Sequence, residues 1–332
     1  QAAALAEAGK SFPNGIDKAH TTVYYFKKPI ICMFKGNIVT GSYELYRCAV
    51  LSTSTGSLDS ILSRDSPIQI LRLTLTLDGI RYTDGLDLKP EIFYQWLYRH
   101  PGRAVQTTPP TPESLRETFS YLKAQGYHEA IVTTISRRMS ESHQIIRQVA
   151  DEMAGELTIH VLDTGVAGMP EGFFALEALR LLKSGRTPAQ TMAHLEQLKS
   201  RCEVVFSVHS LKQLTNSGGL TRIGAMFSDL LGLKPVFAFR NNTLRKIAVA
   251  RSSDHVLDET VAAVAARIAG KDIDNLVLCG MYCGNLELYN RFANKLHNQT
   301  GLHLQGIPIS PVLGAYIGPD AVGVGIVEKL PE

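Results

Sequence analysis

The chain lacks an excess of charge of either sign: 34 Lys and Arg stand against 31 Asp and Glu, a net of +3 over 332 residues, and the basic side chains are scattered. That argues against a nucleic-acid footprint, which needs basic residues gathered on one face. A disulfide framework is missing too. The cysteines are Cys32, Cys48, Cys202, Cys279 and Cys283, an odd number with no CxxC pair. They read as reduced thiols of a cytoplasmic protein. Cys279 and Cys283 have no Cys or His partners at ligand spacing, so they read as buried thiols, and neither a metal nor a cofactor is assigned. The most apolar early stretch, residues 24–39, is broken by Lys27, Lys28 and Lys35. It falls short of the roughly 20 apolar residues of a membrane span, and no secretory leader is expected. Neither a Gly-x-Ser-x-Gly elbow nor a phosphate-binding P-loop occurs, and there is no repeat or low-complexity run.

What is present is a chain 45% hydrophobic and long enough for two α/β units. Short β-branched runs alternate with longer helical periodicity from Arg47 onward, the pattern of mostly parallel sheets flanked by helices. Strands are expected at residues 48–51, 68–77, 130–134, 157–162, 204–208, 236–239, 244–249, 275–279, 303–308 and 322–327. Helices are expected at 89–100, 112–125, to 150 from the loop after 134, 172–182, 189–200, 211–217, 221–231, 255–268 and 286–300. Asp78-Gly79 reads as a turn, and Asn241-Asn242 as a hairpin signal. The expected architecture is two packed α/β lobes with mostly parallel sheets and the ligand between them. Residues 1–45 are set apart as an N-terminal extension, 46–185 as the first lobe and 186–332 as the second.

Hydroxyl-rich loops recur where strands end: Ser52-Thr53-Ser54-Thr55 after the first strand, and Ser136 to Ser142 after 130–134. Ligands approach parallel sheets at those ends, although such residues also serve as ordinary helix caps. In order along the chain, several segments resemble the DegV family. Ala49 to Thr55 is similar to its strand and Asp-Ser-Thr loop, with Thr53 where the acid is expected. Tyr82-Thr83-Asp84-Gly85 keeps its Tyr-x-Asp-Gly signature, and Thr107-Thr108-Pro109-Pro110-Thr111-Pro112 is similar to its Thr-Ser-x-Pro-Ser-Pro loop. Ser136 to Ser142 resembles Ser-Ser-x-Leu-Ser-Gly-Thr without the glycine, and Asp163-Thr164 matches Asp-Ser. The 214–220 segment is similar to Leu-x-x-Gly-Gly-Arg-Ile, with Leu220 for the arginine, and Leu233-Lys234-Pro235 matches Ile-Lys-Pro. Arg251 keeps the arginine of a Lys-x-Arg segment, and 314–320 resembles the final Gly-x-His-x-Gly-Pro-Gly loop, with Tyr316 for the histidine. The resemblance covers residues 48–328.

The resemblance implies a carrier, not an enzyme: a long-chain fatty acid lies in an apolar tunnel and its carboxyl group is presented to a dihydroxyacetone-kinase-like fatty-acid kinase. It further implies that Thr107 or Thr108 and Ser140 donate to the head group from the first lobe, that Tyr316 closes the site from the second, and that Ser54 belongs to the same set. Arg251 would hold an acyl-phosphate or meet the kinase, since a planar guanidinium suits phosphate oxygens. Roughly fifteen buried methylenes at about 0.8 kcal/mol each offer on the order of 12 kcal/mol before ordering costs, so the tail carries the affinity. The phenol of Tyr316 stays neutral near neutral pH where a histidine can be charged, which predicts a weaker grip on a carboxylate or a different ligand. The stripe Ile223, Met226, Phe227 and Leu230 reads as core or tunnel wall. Two further readings stand beside this one: a phosphotransferase or hydrolase using Asp84 or Asp163 as a base beside a hydroxyl, and a family member that kept the fold but changed its small-molecule ligand.

Overall fold

The computed structural model describes residues 47–210, 213 and 232–331. The extension at 1–45, the 211–217 helix apart from Gln213, the 221–231 helix, the 214–220 motif and Cys32 lie outside the described residues.

Strand β1 (Cys48–Thr53) is buried along its whole length. Such an unbroken apolar run belongs to the interior of a parallel sheet covered on both faces. It pairs in parallel with β2 (Ile68–Leu71) and β6 (Glu129–Thr134), and β6 pairs in parallel with β7 (Thr158–Asp163), giving the order β2-β1-β6-β7. The expected strand over 68–77 is in fact two. After β2 the chain leaves the parallel sheet at Arg72 and Leu73, and β3 (Thr74–Leu77) joins a small antiparallel sheet with β4 (Ile80–Thr83) and β5 (Gln106–Thr108). The β3–β4 turn is Asp78-Gly79, both at positive φ (50° and 83°), which suits the tight hairpin read from sequence.

Helices α1 (Pro90–Arg99), α2 (Pro112–Ala124) and α3 (Ser142–Glu152) are amphipathic. The next, α4 (Met169–Lys183), starts three residues earlier than the sequence suggested and is buried almost all round. It packs on β1 and β6 on one side and, on the other, on strands of a second sheet: β8 (Cys202–Val208), β11 (Leu276–Gly284) and β13 (Asp320–Glu328). One apolar cluster therefore runs from Val50 and Ile131 through Phe173 and Phe174 to Val204 and Phe237.

The second sheet has the order β10-β9-β8-β13-β11-β12, with β9 at Lys234–Arg240, β10 at Thr243–Ala250 and β12 at Gly306–Pro308. Only its β11–β12 pair is parallel. This corrects the expectation of mostly parallel sheets in both halves. Asn241 and Asn242, at φ 47° and 61°, make a two-residue reversal that forces β9 and β10 antiparallel. The parallel pair alone is joined through an intervening helix, α7 (Leu286–Thr300), after α6 (Ser253–Ile268) has covered the same sheet. The segment at 314–320, taken as a loop, begins inside a short helix, α8 (Pro311–Ile317), and Gly318 at φ 82° ends it. Helix α5 (Pro188–Leu198) opens with a capping box of Thr187 and Gln190.

Candidate functional site

The carboxyl ends of β1 and β6 and the end of β5 converge on one side of α8. Between them is a chamber of about 100 Å³ whose wall includes Thr55, Thr107, Met139, Ser140, Leu313 and Tyr316. A second chamber of about 80 Å³, wholly apolar, lies against the second sheet, with Val204, Phe206, Phe239, Met281 and Ile309 among its lining residues. Met139, Leu313 and Ile317 line both. The two chambers are thus neighbours divided by three flexible apolar side chains, hydroxyl-rich at one end and bare of polar groups at the other. This is the division of labour a long amphiphile needs: apolar surface for the tail and a few placed polar groups for the head.

Of the residues named from sequence, Thr107, Ser140 and Tyr316 come together here. Tyr316 OH and Thr107 Oγ1 are hydrogen-bonded at 2.5 Å across the cleft between α8 and β5. Ser140 Oγ pairs with Ser142 Oγ at 2.9 Å and accepts the Ser142 N–H at 3.2 Å, so it also caps the start of α3. Thr108, Ser54 and Arg251 line neither chamber. Thr108 is opposite Thr74 in the small sheet. Ser54 is buried one turn behind the wall, its Oγ accepting the Leu73 N–H at 3.2 Å. Arg251 is exposed at the far end of β10.

The sequence named Thr55 in a hydroxyl-rich loop and Asp84 as a candidate base, but not Glu171. Thr55 is on the chamber wall, and Oγ1 of both Thr53 and Thr55 donates to Glu171 Oε1, at 2.5 and 2.7 Å. Glu171 is fully buried in the first turn of α4 and its Oε2 has no partner among the described residues. Burial, reinforced by Asp84 and Asp163 and opposed by the two threonine hydroxyls, pushes its carboxyl up to about 8. Asp84, from the Tyr-x-Asp-Gly segment, is equally buried. Ser54 and the Val312 N–H lie near enough to favour its charged form, yet neither closes a hydrogen bond on either carboxylate oxygen. Burial dominates and raises it to about 7. An acid in the first turn of a helix reads from sequence as an ordinary complement to the helix dipole. Only the lone charge in Met169-Pro170-Glu171-Gly172-Phe173-Phe174 hinted that Glu171 is internal.

The chamber is clamped from both sides. Asn242 in the β9–β10 turn accepts from Ser136 Oγ at 2.5 Å, donates to Asp163 Oδ2 at 2.8 Å and sends its N–H to Gly165 O at 2.8 Å. At the other end the Tyr94 hydroxyl donates to Ile309 O, the Ser310 N–H to Ser57 Oγ, and Gln213 to Ala315 O. Cys202, Cys279 and Cys283 are buried free thiols in or beside the second sheet, and burial pushes Cys279 and Cys283 up to about 12. Among the described residues no helix is long and apolar enough to cross a membrane, and no three His, Cys, Asp or Glu gather as a metal site.

Comparison with known proteins finds that residues 47–329 match a family described as "Uncharacterised protein, DegV family". A DegV domain-containing protein of Staphylococcus aureus is 26% identical over 289 residues, spanning 85% of this chain and 98% of that protein. Among solved structures, a stearic-acid-binding protein from Eubacterium ventriosum aligns with a TM-score of 0.75 at 21% identity, covering 85% of this chain and 98% of that one. A Thermus thermophilus DegV family protein described by its fatty-acid binding aligns at 0.73 with 23% identity, covering 85% and 99%. At these identities the structural matches speak for the shared fold.

Proposed function

The chain belongs to the DegV family, and on that footing we propose that it binds a long-chain fatty acid, tail in the apolar chamber and head group among Thr107, Ser140 and Tyr316. The observation that carries this reading is the adjacency of the two chambers across Met139, Leu313 and Ile317. Moving those side chains joins an apolar blind end to a polar mouth. The neighbours described as fatty-acid binders support the same occupant.

In this reading the chain holds the acyl tail and turns the carboxyl group outward, and a partner fatty-acid kinase forms the acyl phosphate. That last step is carried by the family resemblance. Affinity comes from the tail, about 0.8 kcal/mol per buried methylene, and orientation from the hydroxyls. The test is mass spectrometry of an organic extract of the purified protein beside a protein-free control. A stoichiometric long-chain fatty acid is expected; a stoichiometric ligand without an acyl chain would overturn the reading. For the kinase step, acyl-phosphate formation by a fatty-acid kinase should depend on the loaded chain, and equal rates with free fatty acid would refute it.

A further inference from the structure

The hydroxyls of the polar chamber are largely committed to each other. A hydroxyl has one proton and two lone pairs. One proton of the Tyr316–Thr107 pair is used in their mutual bond, which leaves one to offer. Ser140 can donate only when Ser142 supplies the proton of their shared contact. Thr55 sends its proton inward to Glu171 and has Thr53 Oγ1 2.9 Å away, so that even with Thr53 on one lone pair it keeps the second for whatever enters. Among the described residues the wall thus presents at most two neutral donors against a surplus of hydroxyl lone pairs, with Thr55 able only to accept, and no Lys, Arg or His lines it.

Behind this wall are two buried acids with unpartnered oxygens, Glu171 Oε2 and both oxygens of Asp84. Glu171 is faced by Thr53 and Thr55 at the end of β1, by Asp84 after β4 and by Asp163 at the end of β7. Around Asp84 are Ser54, the Val312 N–H of α8, Asp59 and Arg72, whose guanidinium is held by Asp59 and by the Asp84 carbonyl. An ionised carboxylate entering here would set a lone pair against the Thr55 lone pair, with two acids close behind and no cation from the described wall. A protonated acid fits instead: its C=O takes the donors of Tyr316 and Ser140, and its O–H goes to Thr55.

We propose that the polar chamber binds its ligand with an uncharged head that carries both a donor and an acceptor, the protonated carboxylic acid or an alcohol, and that Thr55 Oγ1 is the specificity-determining acceptor. The inference rests on the fatty-acid reading of the same chamber and deepens it. The experiment is calorimetric titration of the delipidated protein with hexadecanoic acid, 1-hexadecanol and methyl hexadecanoate between about pH 6 and about pH 8. An aqueous carboxyl group titrates near 4.3, so its neutral fraction falls about tenfold per pH unit over that range. Affinity for the acid should fall by roughly threefold to tenfold per unit while affinity for the alcohol stays within about twofold.

Acid affinity that is flat or rises with pH overturns the inference and leaves the fatty-acid reading intact. Failure of acid and alcohol alike would sink both. Thr55→Val, which keeps shape and removes the acceptor, should weaken the acid and the alcohol at about pH 6 by about fivefold and spare the methyl ester, which has no O–H to give. Equal loss for all three probes, or no loss, would overturn the role assigned to Thr55.

Discussion

Replacing Glu171 by glutamine should change how the stability of the fold depends on pH. The amide oxygen can still accept from Thr53 and Thr55, and the amide nitrogen takes the place of an Oε2 that already has no partner, so Glu171→Gln mimics the protonated acid. In the native protein the carboxyl is raised from 4.5 to about 8 by burial. Between those values the folded chain holds a proton that the unfolded chain has released, so stability is fully present below about 4.5 and declines as pH rises towards about 8. At about 1.4 kcal/mol per unit, the ceiling on that loss is about 5 kcal/mol, and water entry and relaxation bring a working figure to about 2–5 kcal/mol. The variant lacks this loss. It should be equal to the native protein or about 1–2 kcal/mol less stable near pH 5, from the buried amide N–H group. Near pH 8 it should be the more stable of the two by a few kcal/mol, about the loss it escapes. Asp84, raised from 3.8 to about 7, adds a like-signed slope to both proteins, and only its coupling to the Glu171 charge remains in the difference. Urea unfolding followed by far-ultraviolet circular dichroism at four pH values measures that difference. A stability gap between the two proteins that does not vary with pH would refute the reasoning.

Tyr316→Phe removes the hydroxyl shared with Thr107 and should weaken hexadecanoic-acid binding by about threefold to tenfold, the worth of one hydrogen bond; an unchanged dissociation constant would put the head group elsewhere. Val204→Phe builds a ring into the apolar chamber and should move the preferred acyl chain shorter, at about 0.8 kcal/mol for each methylene excluded. Competition among saturated acids of graded length reads that shift, and an unmoved optimum would place the tail outside this chamber. Asn242→Ala loses the bonds to Ser136 and Asp163 at a positive φ and should destabilise the fold by about 2–4 kcal/mol in urea. Asn242→Gly should recover about 1 kcal/mol of that, because glycine tolerates the backbone, and equal midpoints for the two variants would remove the backbone from the account.

The parts of the fold that were legible are those whose signal is local. The strands at 48–51, 130–134 and 157–162, the helices at 89–100 and 112–125, and the Asp78-Gly79 and Asn241-Asn242 turns each carry their own pattern. Strand partnership has no such signature. The 68–77 run looks continuous because β2 and β3 both carry apolar residues at strand spacing, and only the structure shows Arg72 turning away to hold Asp59 and the Asp84 carbonyl between two sheets. Likewise the alternation of strands and helices in the second half reads as a parallel sheet, although β8, β9, β11 and β13 are held by antiparallel ladders between elements distant in sequence. Motif loops led to Thr107 and Ser140, where the motif hydroxyl is kept, and to Tyr316, which stands for a histidine, and all three line the polar chamber. They led equally to Ser54, Thr108 and Arg251, since a motif records that a residue recurs and not whether it faces the cavity or props the wall behind it.

Thr53 and Glu171 are best understood together. The family pattern expects an acid where Thr53 stands, and in this chain a carboxylate reaches the Thr53 hydroxyl from α4, at 2.5 Å. The short side chain at 53 leaves the space, and Gly172, whose Cα is in contact range of Gly56, lets α4 approach the loop closely enough for Glu171 to fill it. Tyr316 supplies a neutral donor where the family pattern has a histidine. An acid held behind the hydroxyls raises the cost of a charged ligand, while a phenol in place of an imidazole removes a cation that could have offset it. Glu171 restores from α4 the carboxyl group that the family pattern places at 53, so the departure that pushes towards an uncharged head group is Tyr316, which removes the cation without removing the acid.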